Sequence, residues 1–472
     1  MHEMTTAQVA ALAEARLIGD PQVAVGPTVV IDSRSVEPGS LFVALPGERV
    51  DGHDFAAAAV AAGASAILVG RELAVDAVQL VVDDPAAGLA RLARGLVDEA
   101  LAGGLVTVAV TGSSGKTSTK DLIAQVLATA GETVAPVGSQ NNEIGVPLTA
   151  TRIAPSTRFL VSEFGARGLG HIRWLCEVVP PRIGAVLNVG QAHLGEFGSQ
   201  VVIAQAKGEL VEALPSDGWA VLNATDPLVA AMAERTTARL ASFGAPDGLG
   251  EVRVWAEDVS LDALSRPRFT LHASGLAEGT VPVTLQVSGA HQVENALAAA
   301  AVGLVAGIGL AQVAASLSQA QARSRWRMEL TERPDRVLVV NDAYNANPDS
   351  MAAALHSLAA LRRPGGRLLA ILGDMLELGA TAPQQHRDVG ELAGQLGIDH
   401  LILIGDHAED LAAGARVGGV GFSMAPDRSA ALTAAADWLR PDDVVLIKAS
   451  RGLALETVAQ ALAEGRPTLE VG

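Results

Sequence analysis

Short apolar runs separated by alanine-rich amphipathic stretches recur along most of this 472-residue chain. Between residues 27 and 103 the runs TVVID, LFVAL, AILVG and QLVVDD accompany a helical stretch over 54–62. The tetrapeptide AGGL at 102–105 breaks that pattern, and a second series begins with LVTVAV and continues through RFLVSEF, RIGAVLNV and WAVLNAT. Apolar runs of strand length that alternate with helical patterns predict mostly parallel sheets covered by helices. The stretch 251–288 differs, because EVRVWAEDVSL, RFTLHASG and TVPVTLQVSG alternate apolar and polar positions. A period of two predicts antiparallel strands there. A helical block over 291–322 follows, and a third series opens near 330 with DRVLVVNDAY, GRLLAILGD, HLILIGD and DDVVLIKAS, each leading into a helical pattern. The expectation is an α/β protein of three domains, spanning 1–103, 104–328 and 329–472.

Composition narrows the class. The length exceeds what one ordinary core supports. Hydrophobic residues make up 49% and charged residues 18%, which is a globular balance. Aromatics are only 3%, so the cores must be aliphatic. A formal charge of −18 argues against nucleic acid or an anionic membrane as the main partner, since phosphate binding needs a basic face. An anionic substrate would need local Lys, Arg or Mg²⁺. The single cysteine, Cys176, leaves no disulfide framework and fits a reducing compartment. The start MHEMTTAQVAALAEA lacks the pattern of a signal peptide. The most apolar run, ALAAAAVGLVAGIGLA at 296–311, falls short of the roughly 20 residues that span a bilayer, so a buried helix is expected. These features predict a soluble, cytoplasmic protein.

The candidate chemistry starts at TVAVTGSSGKTSTKD, residues 107–121. The common phosphate-loop spacing would place glycine at 110, where this chain has Val110; the first glycine is Gly112. The context still suits a phosphate site. A hydrophobic strand enters Thr111, an amphipathic helix leaves, and amides at a helix start point at an anion that the helix dipole favours. Gly112, Ser113, Ser114, Gly115, Lys116, Thr117 and Ser118 are the expected cradle. Lys116 would neutralise the β- and γ-phosphates, and the Thr117 hydroxyl would ligate Mg²⁺. A Ser/Gly turn with a solvated Lys116 is the plainer alternative. Downstream, the apolar run FLVSEFGA ends in Glu163, placed for a metal or simply a strand-end carboxylate in water. His193 lies in a polar turn after another apolar strand, and Lys207 sits beside Glu209 in IAQAKGELV, where a solvated helical lysine is the ordinary reading. Each signal is weak alone; their order along the chain strengthens them.

That order resembles the Mur ligases, the ATP-dependent amide-forming enzymes of peptidoglycan precursor synthesis. Their loop TGxxGKT[ST] is matched by TGSSGKTS at 111–118, so no glycine is missing. DSRSVEPGSLFVALPGERVDGHDF (32–55) resembles the family's UDP-sugar-binding N-terminal domain. NNEIGVP (141–147), GAHQVENALAAAA (289–301) and RWRMEL (325–330) are similar to central-domain motifs, and NDAYNANPDSM (341–351) and LGDMLELG (372–379) to the last domain of the member acting latest in the cytoplasm. Two places depart from the family: GHI at 170–172 instead of Gly-Glu-Ile, and KASRG at 448–452 instead of Lys-Gly-Ser-Arg.

The resemblance implies three domains: a UDP-substrate domain, a P-loop ATPase-like domain and a Rossmann-like dipeptide domain. It implies that D-alanyl-D-alanine is joined to UDP-N-acetylmuramoyl-tripeptide through an acyl phosphate, with ATP and two Mg²⁺ ions. Lys116, His193 and Lys207 would be catalytic; Thr117, Glu163 and His193 would hold metal; and Lys207 would be carbamylated. Asn295 and Asp342 match positions that contact base and ribose, and Arg327 one that reaches the phosphates. Ser33 and Arg34 would face the UDP-sugar, and Asn141 and Asn142 the muramoyl-peptide. Lys448 and Arg451 would pair with the dipeptide carboxylate, since a guanidinium suits bidentate carboxylate recognition. Tyr344, Asn345 and Asn347 would line the same cleft, or else form a turn-and-cap cluster before a helix at 348–361. A monomer that closes its domains during turnover is expected. The alternatives are the ligase adding the third residue, a folylpolyglutamate synthetase, and a P-loop switch without ligase activity.

Overall fold

The computed structural model describes residues 1–47, 50–190, 197–466 and 468–469, and each apolar series of the sequence becomes one sheet. The N-terminal sheet has five strands in the order Arg16–Ile18, Val78–Val81, Ala66–Val69, Leu41–Val43, Val29–Val30, and only the first runs antiparallel to its neighbour. The helix Pro85–Ala102 leads out of it, with Asp84 accepting from the Ala86 amide and proline in the first turn. Leu89, Leu92 and Leu96 pack into the N-terminal core, whereas Ala90, Ala93 and Val97 pack into the central one. One amphipathic helix therefore serves two cores.

The central sheet has nine strands, parallel through its main body. Val106–Thr111 lies between Ile183–Val186 on one side and Thr157–Glu163 on the other, all parallel. The next strands in the chain, Glu132–Val134 and Thr157–Glu163, lie to one side, and the later ones to the other. The end of Val106–Thr111 is thus a topological switch point, where open α/β sheets form their binding crevice. The period-two stretch forms Val252–Leu261, Pro267–Gly275 and Gly279–Thr284, joined antiparallel at the sheet's edge. Its alternation follows burial, with one face on the core.

The most apolar run, 296–311, is not one helix: it fills the helix Gln292–Val305, turns at 306–309 and enters a second helix, Leu310–Gln319. In the first, Ala298, Ala299, Ala300 and Ala301 have no exposed surface. A helix apolar all round is a buried helix. Gln292–Val305 packs on the phosphate-loop helix Lys116–Ala128, and a Cβ on Gly303 would come within 2.7 Å of Val126, so glycine permits the close approach. Among the described residues no helix is long and apolar enough to cross a membrane.

The C-terminal sheet orders six strands as Glu329–Glu332, Leu338–Asn341, Val444–Lys448, Leu368–Leu372, His400–Leu403 and Gly421–Met424, parallel except for the first pair. The loops leaving Leu338–Asn341, Leu368–Leu372 and Val444–Lys448 face the central domain across a cleft.

Candidate active site

The cleft encloses about 550 Å³ and has two walls. The first is built by the phosphate loop, where Gly115 adopts φ +78° and begins the helix Lys116–Ala128. A side chain at Gly115 would also meet the Asn295 Oδ1 at 2.5 Å, so both conformation and space require glycine. Asn188, at the end of the neighbouring strand, accepts from the Ser113 and Ser114 amides through Oδ1 at 2.9 Å each. That fixes the loop and leaves the first-turn amides of the helix as the anion-facing donors. Lys116 is folded onto its own loop, donating to the Gly112 carbonyl at 2.8 Å. Burial lowers its pKa, with Glu163 opposing and Arg327 adding to the shift.

Glu163 ends its strand buried beside the loop. Its Oε1 accepts from Ser139 at 2.9 Å and Asn141 at 2.7 Å, while the buried Oε2 has no partner among the described residues. An orphaned carboxylate oxygen in a cationic, polar cleft fits a divalent cation. Thr117, facing the same cleft, accepts a hydrogen bond from Arg327 Nη2 at 3.1 Å. Lys207 enters from the helix Gln200–Glu212 and is buried, its pKa lowered well below the usual lysine value by burial and then by Lys116. Its neighbour Glu209 turns away to accept from the Gly170 and Arg173 amides at 2.6 and 3.0 Å, capping the helix His171–Val178, which lacks a cap of its own. His193 lies outside the described residues.

The second wall comes from the C-terminal domain: Tyr344, Asn345, Asn347, Leu376, Glu377 and Arg451 line it. Trp326, Arg327 and Met328 join the domains, Trp326 and Met328 with φ of +59° and +49°. The Arg327 guanidinium stacks over Tyr344 at 4.2 Å and that of Arg451 over Trp326 at 4.2 Å, a cationic and aromatic pairing in a chain with a single tyrosine. Arg167 and Glu377 approach to 3.8 Å, reaching from opposite domains.

Several residues expected at ligands have protein partners in this structure. Lys448 is buried and outside the cleft lining, its ammonium 2.6 Å from Asp342 Oδ2 and 2.9 Å from the Asn345 carbonyl. Asp342 also accepts from the Met328 amide at 3.0 Å. A buried ammonium needs a carboxylate close by, so these two residues expected at dipeptide and ribose are bound to each other and pin the interdomain joint. Asn295 lies beneath the phosphate loop, bonded to Thr119 and Gln292. Ser118 opens onto a separate small pocket beside the loop helix. Asn141 and Asn142 both line the cleft, Asn141 donating to Glu163 and Asn142 Oδ1 accepting from the Gly145 amide at 2.9 Å. Asn347 both lines the cleft and forms a capping box with Ser350. Ser33 and Arg34 lie in an exposed turn of the N-terminal domain, the Arg34 guanidinium paired to Asp32 at 2.6 Å, away from this cleft. Asn188, Ser139, Arg167 and Glu377 were missed by sequence reading. Asn188 carries the signal that marked Glu163, a polar residue closing an apolar strand.

Comparison with known proteins accounts for nearly the whole chain. Residues 110–303 match the Mur ligase middle domain, 326–451 the Mur ligase glutamate ligase domain, and 28–96 the Mur ligase family catalytic domain. A UDP-N-acetylmuramoyl-tripeptide–D-alanyl-D-alanine ligase of Mycobacterium bovis is 46% identical, with 98% of each chain covered. The crystal structure of MurF from Acinetobacter baumannii superposes with a TM-score of 0.87 at 31% identity over 98% of this chain and 99% of that one. MurF from Thermotoga maritima in complex with ADP gives 0.77 at 28% identity, covering 93% and 97%.

Proposed function

This chain belongs to the Mur ligase family, and we propose that it uses ATP to join D-alanyl-D-alanine to UDP-N-acetylmuramoyl-tripeptide. The observation carrying the reading is one cleft with a phosphate loop, an orphaned carboxylate, the half-buried Lys116 and the buried Lys207 on one wall, and Arg451 with Asn345 on the other. A carboxylate is a poor electrophile towards an amine, so its oxygen first attacks the γ-phosphorus of ATP, breaking the bond to the β-phosphate and releasing ADP. The resulting acyl phosphate accepts the dipeptide amine, and phosphate leaves. Lys116, Arg327 and the first-turn amides spread the charge of the transferring phosphoryl group, which is the main demand of this chemistry. Thr117 and Glu163 would hold Mg²⁺, which would supply positive charge against the phosphate groups.

A neutral Lys207 amine is what carbamylation requires, because only the unprotonated nitrogen attacks CO₂, releasing one proton and gaining a carboxylate. Burial and the Lys116 charge supply that state, and the Lys116 charge also favours the anionic product. Protein equilibrated with ¹³CO₂ should show a carbamate carbon signal that disappears in Lys207→Arg; an unchanged spectrum would remove the modification. Arg451 lines the cleft with its Nη1 paired to Glu456 at 2.5 Å, and it is the cation we assign to the dipeptide's free carboxylate. A cytoplasmic monomer is the form in which we expect it to act.

Phosphate release from ATP is measured with UDP-N-acetylmuramoyl-tripeptide, with and without D-alanyl-D-alanine. Dipeptide-dependent release, with a product heavier by the dipeptide less water, is expected. Turnover of a UDP-muramoyl-dipeptide with a diamino acid instead would move the chain to the preceding step and sink the proposal.

A further inference from the structure

Behind the second wall lies a buried histidine that no step above uses. His386, on the helix Ala382–Gln395, has no exposed surface. Its Nδ1 is 2.6 Å from the Ala382 carbonyl and its Nε2 is 2.9 Å from the Met375 amide. A carbonyl only accepts, so Nδ1 carries the proton and donates. An amide N–H only donates, so Nε2 is bare and accepts. Only one tautomer of the neutral ring satisfies both contacts; imidazolium would set two N–H groups against each other.

Met375 belongs to the loop following Leu368–Leu372, and the next residues, Leu376 and Glu377, line the cleft. The Leu376 amide donates to Ser450 Oγ at 2.9 Å, and the Ser450 amide donates to the Asp374 carbonyl at 2.9 Å. Ser450 Oγ in turn donates to the Ala346 carbonyl at 3.3 Å. The three loops of the wall are thereby tied together next to Arg451, and His386 anchors the one after Leu368–Leu372 from inside the domain. We propose that His386 is a positioning residue: its unprotonated Nε2 holds the Met375 amide and, through Leu376 and Ser450, sets Arg451 for the dipeptide.

The charged and titratable surroundings come from three sides. The His407 ring stacks on His386 with centroids 4.4 Å apart. Asp374 accepts from the Asp406 and His407 amides, and Asp410 pairs with His407 at 3.0 Å and Arg387 at 2.7 Å. The helix Pro348–Ala360 packs there with the apolar Leu355 and Leu358. Burial holds His386 below its usual value and His407 adds to this, against the pull of the Ala382 contact, Asp374 and Asp410. The neutral, accepting ring therefore prevails at neutral pH, and the anchor is lost as pH falls through and below the ordinary histidine range.

The inference rests on the reading that this wall takes the dipeptide, so the test has two arms. In the first, His386→Leu, which keeps volume but no acceptor, should raise KM for D-alanyl-D-alanine about ten-fold with KM for ATP unchanged, as expected for an amide left unpaired. His386→Gln, with an amide oxygen to accept, should recover most of that loss and remove the wild-type rise in dipeptide KM at acid pH. Equal KM values in His386→Leu and wild type, parallel rises for ATP and dipeptide, or an acid rise persisting in His386→Gln would overturn it. The second arm needs no substrate or variant. Amide exchange in the segment 373–378 of the wild-type protein, corrected for intrinsic rate, should lose protection as pH falls from about 7.5 to about 4.5, a window reaching from one unit above the ordinary histidine pKa to two below it, as a lowered pKa requires. Protection unchanged across that window overturns the anchor, whatever the ligase assay gives; a silent assay with pH-dependent protection overturns the functional reading alone.

Discussion

The two walls of the cleft are built in opposite ways. The ATP-facing wall takes its loop, cation and hydroxyl from one continuous stretch, 112–118, and its order is mainly local, a glycine in the left-handed region and a helix start, with one distant brace from Asn188 to two amides. The facing wall is assembled from 343–347, 374–377 and 449–452, segments that meet only because their strands are neighbours in one parallel sheet. The first wall can be recognised from a motif and perturbed one residue at a time. The second depends on buried links such as Lys448–Asp342, 106 residues apart, so damage there spreads. Binding chemistry and structural support are nearly separate in the first wall and shared in the second.

The largest effect that would sharpen this contrast is Lys116→Ala, expected to lower kcat/KM by about 10³-fold through lost phosphoryl charge stabilisation. Its melting temperature should hold or rise, since a desolvated ammonium is removed. ADP formation and a thermal melt read the two quantities, and a loss of fold would break the comparison. On the other wall, Asp342→Ala should destabilise the protein by about 3–5 kcal/mol, because it strands a buried Lys448. Chemical denaturation of that variant beside Asp342→Leu/Lys448→Met, which removes both charges and should recover most of the loss, tests it. Arg451→Ala should raise the dipeptide KM roughly ten- to hundred-fold with little change for ATP, on the scale of a charged hydrogen bond. Equal effects on both substrates would mean that the walls are not separable. The smallest effect is Asn347→Ala, where losing the cap should cost about 1 kcal/mol of stability; an intact melt would leave Asn347 as a cleft residue only.

Much of the molecule was legible beforehand for reasons of period and punctuation. The three large sheets, the antiparallel extension at 252–284 and the buried helix at 292–305 follow from apolar spacing. The phosphate loop could be read because its function lies in consecutive backbone amides. Glu163 could be read because an apolar strand ending in a carboxylate is conspicuous. The roles expected of Lys448, Asp342, Asn295 and Asn141 were not legible in the same way. A side chain that can meet a ligand can equally meet another buried group, and only its surroundings in three dimensions decide which. His386 shows the same limit from the other side: one histidine in HRDVGELAG carries no signal until Met375 is seen against its ring.

The sequence by itself determined where strands and helices run, where the anion-binding helix start lies and that the chain handles nucleotide phosphate, because these depend on neighbours along the chain. Which distant polar groups pair, which carboxylate oxygen is left without a partner and which loops form the opposite wall were decided by tertiary structure. Pairing of buried charges is a matter of distance and desolvation, and both are set only when separate strands are brought side by side.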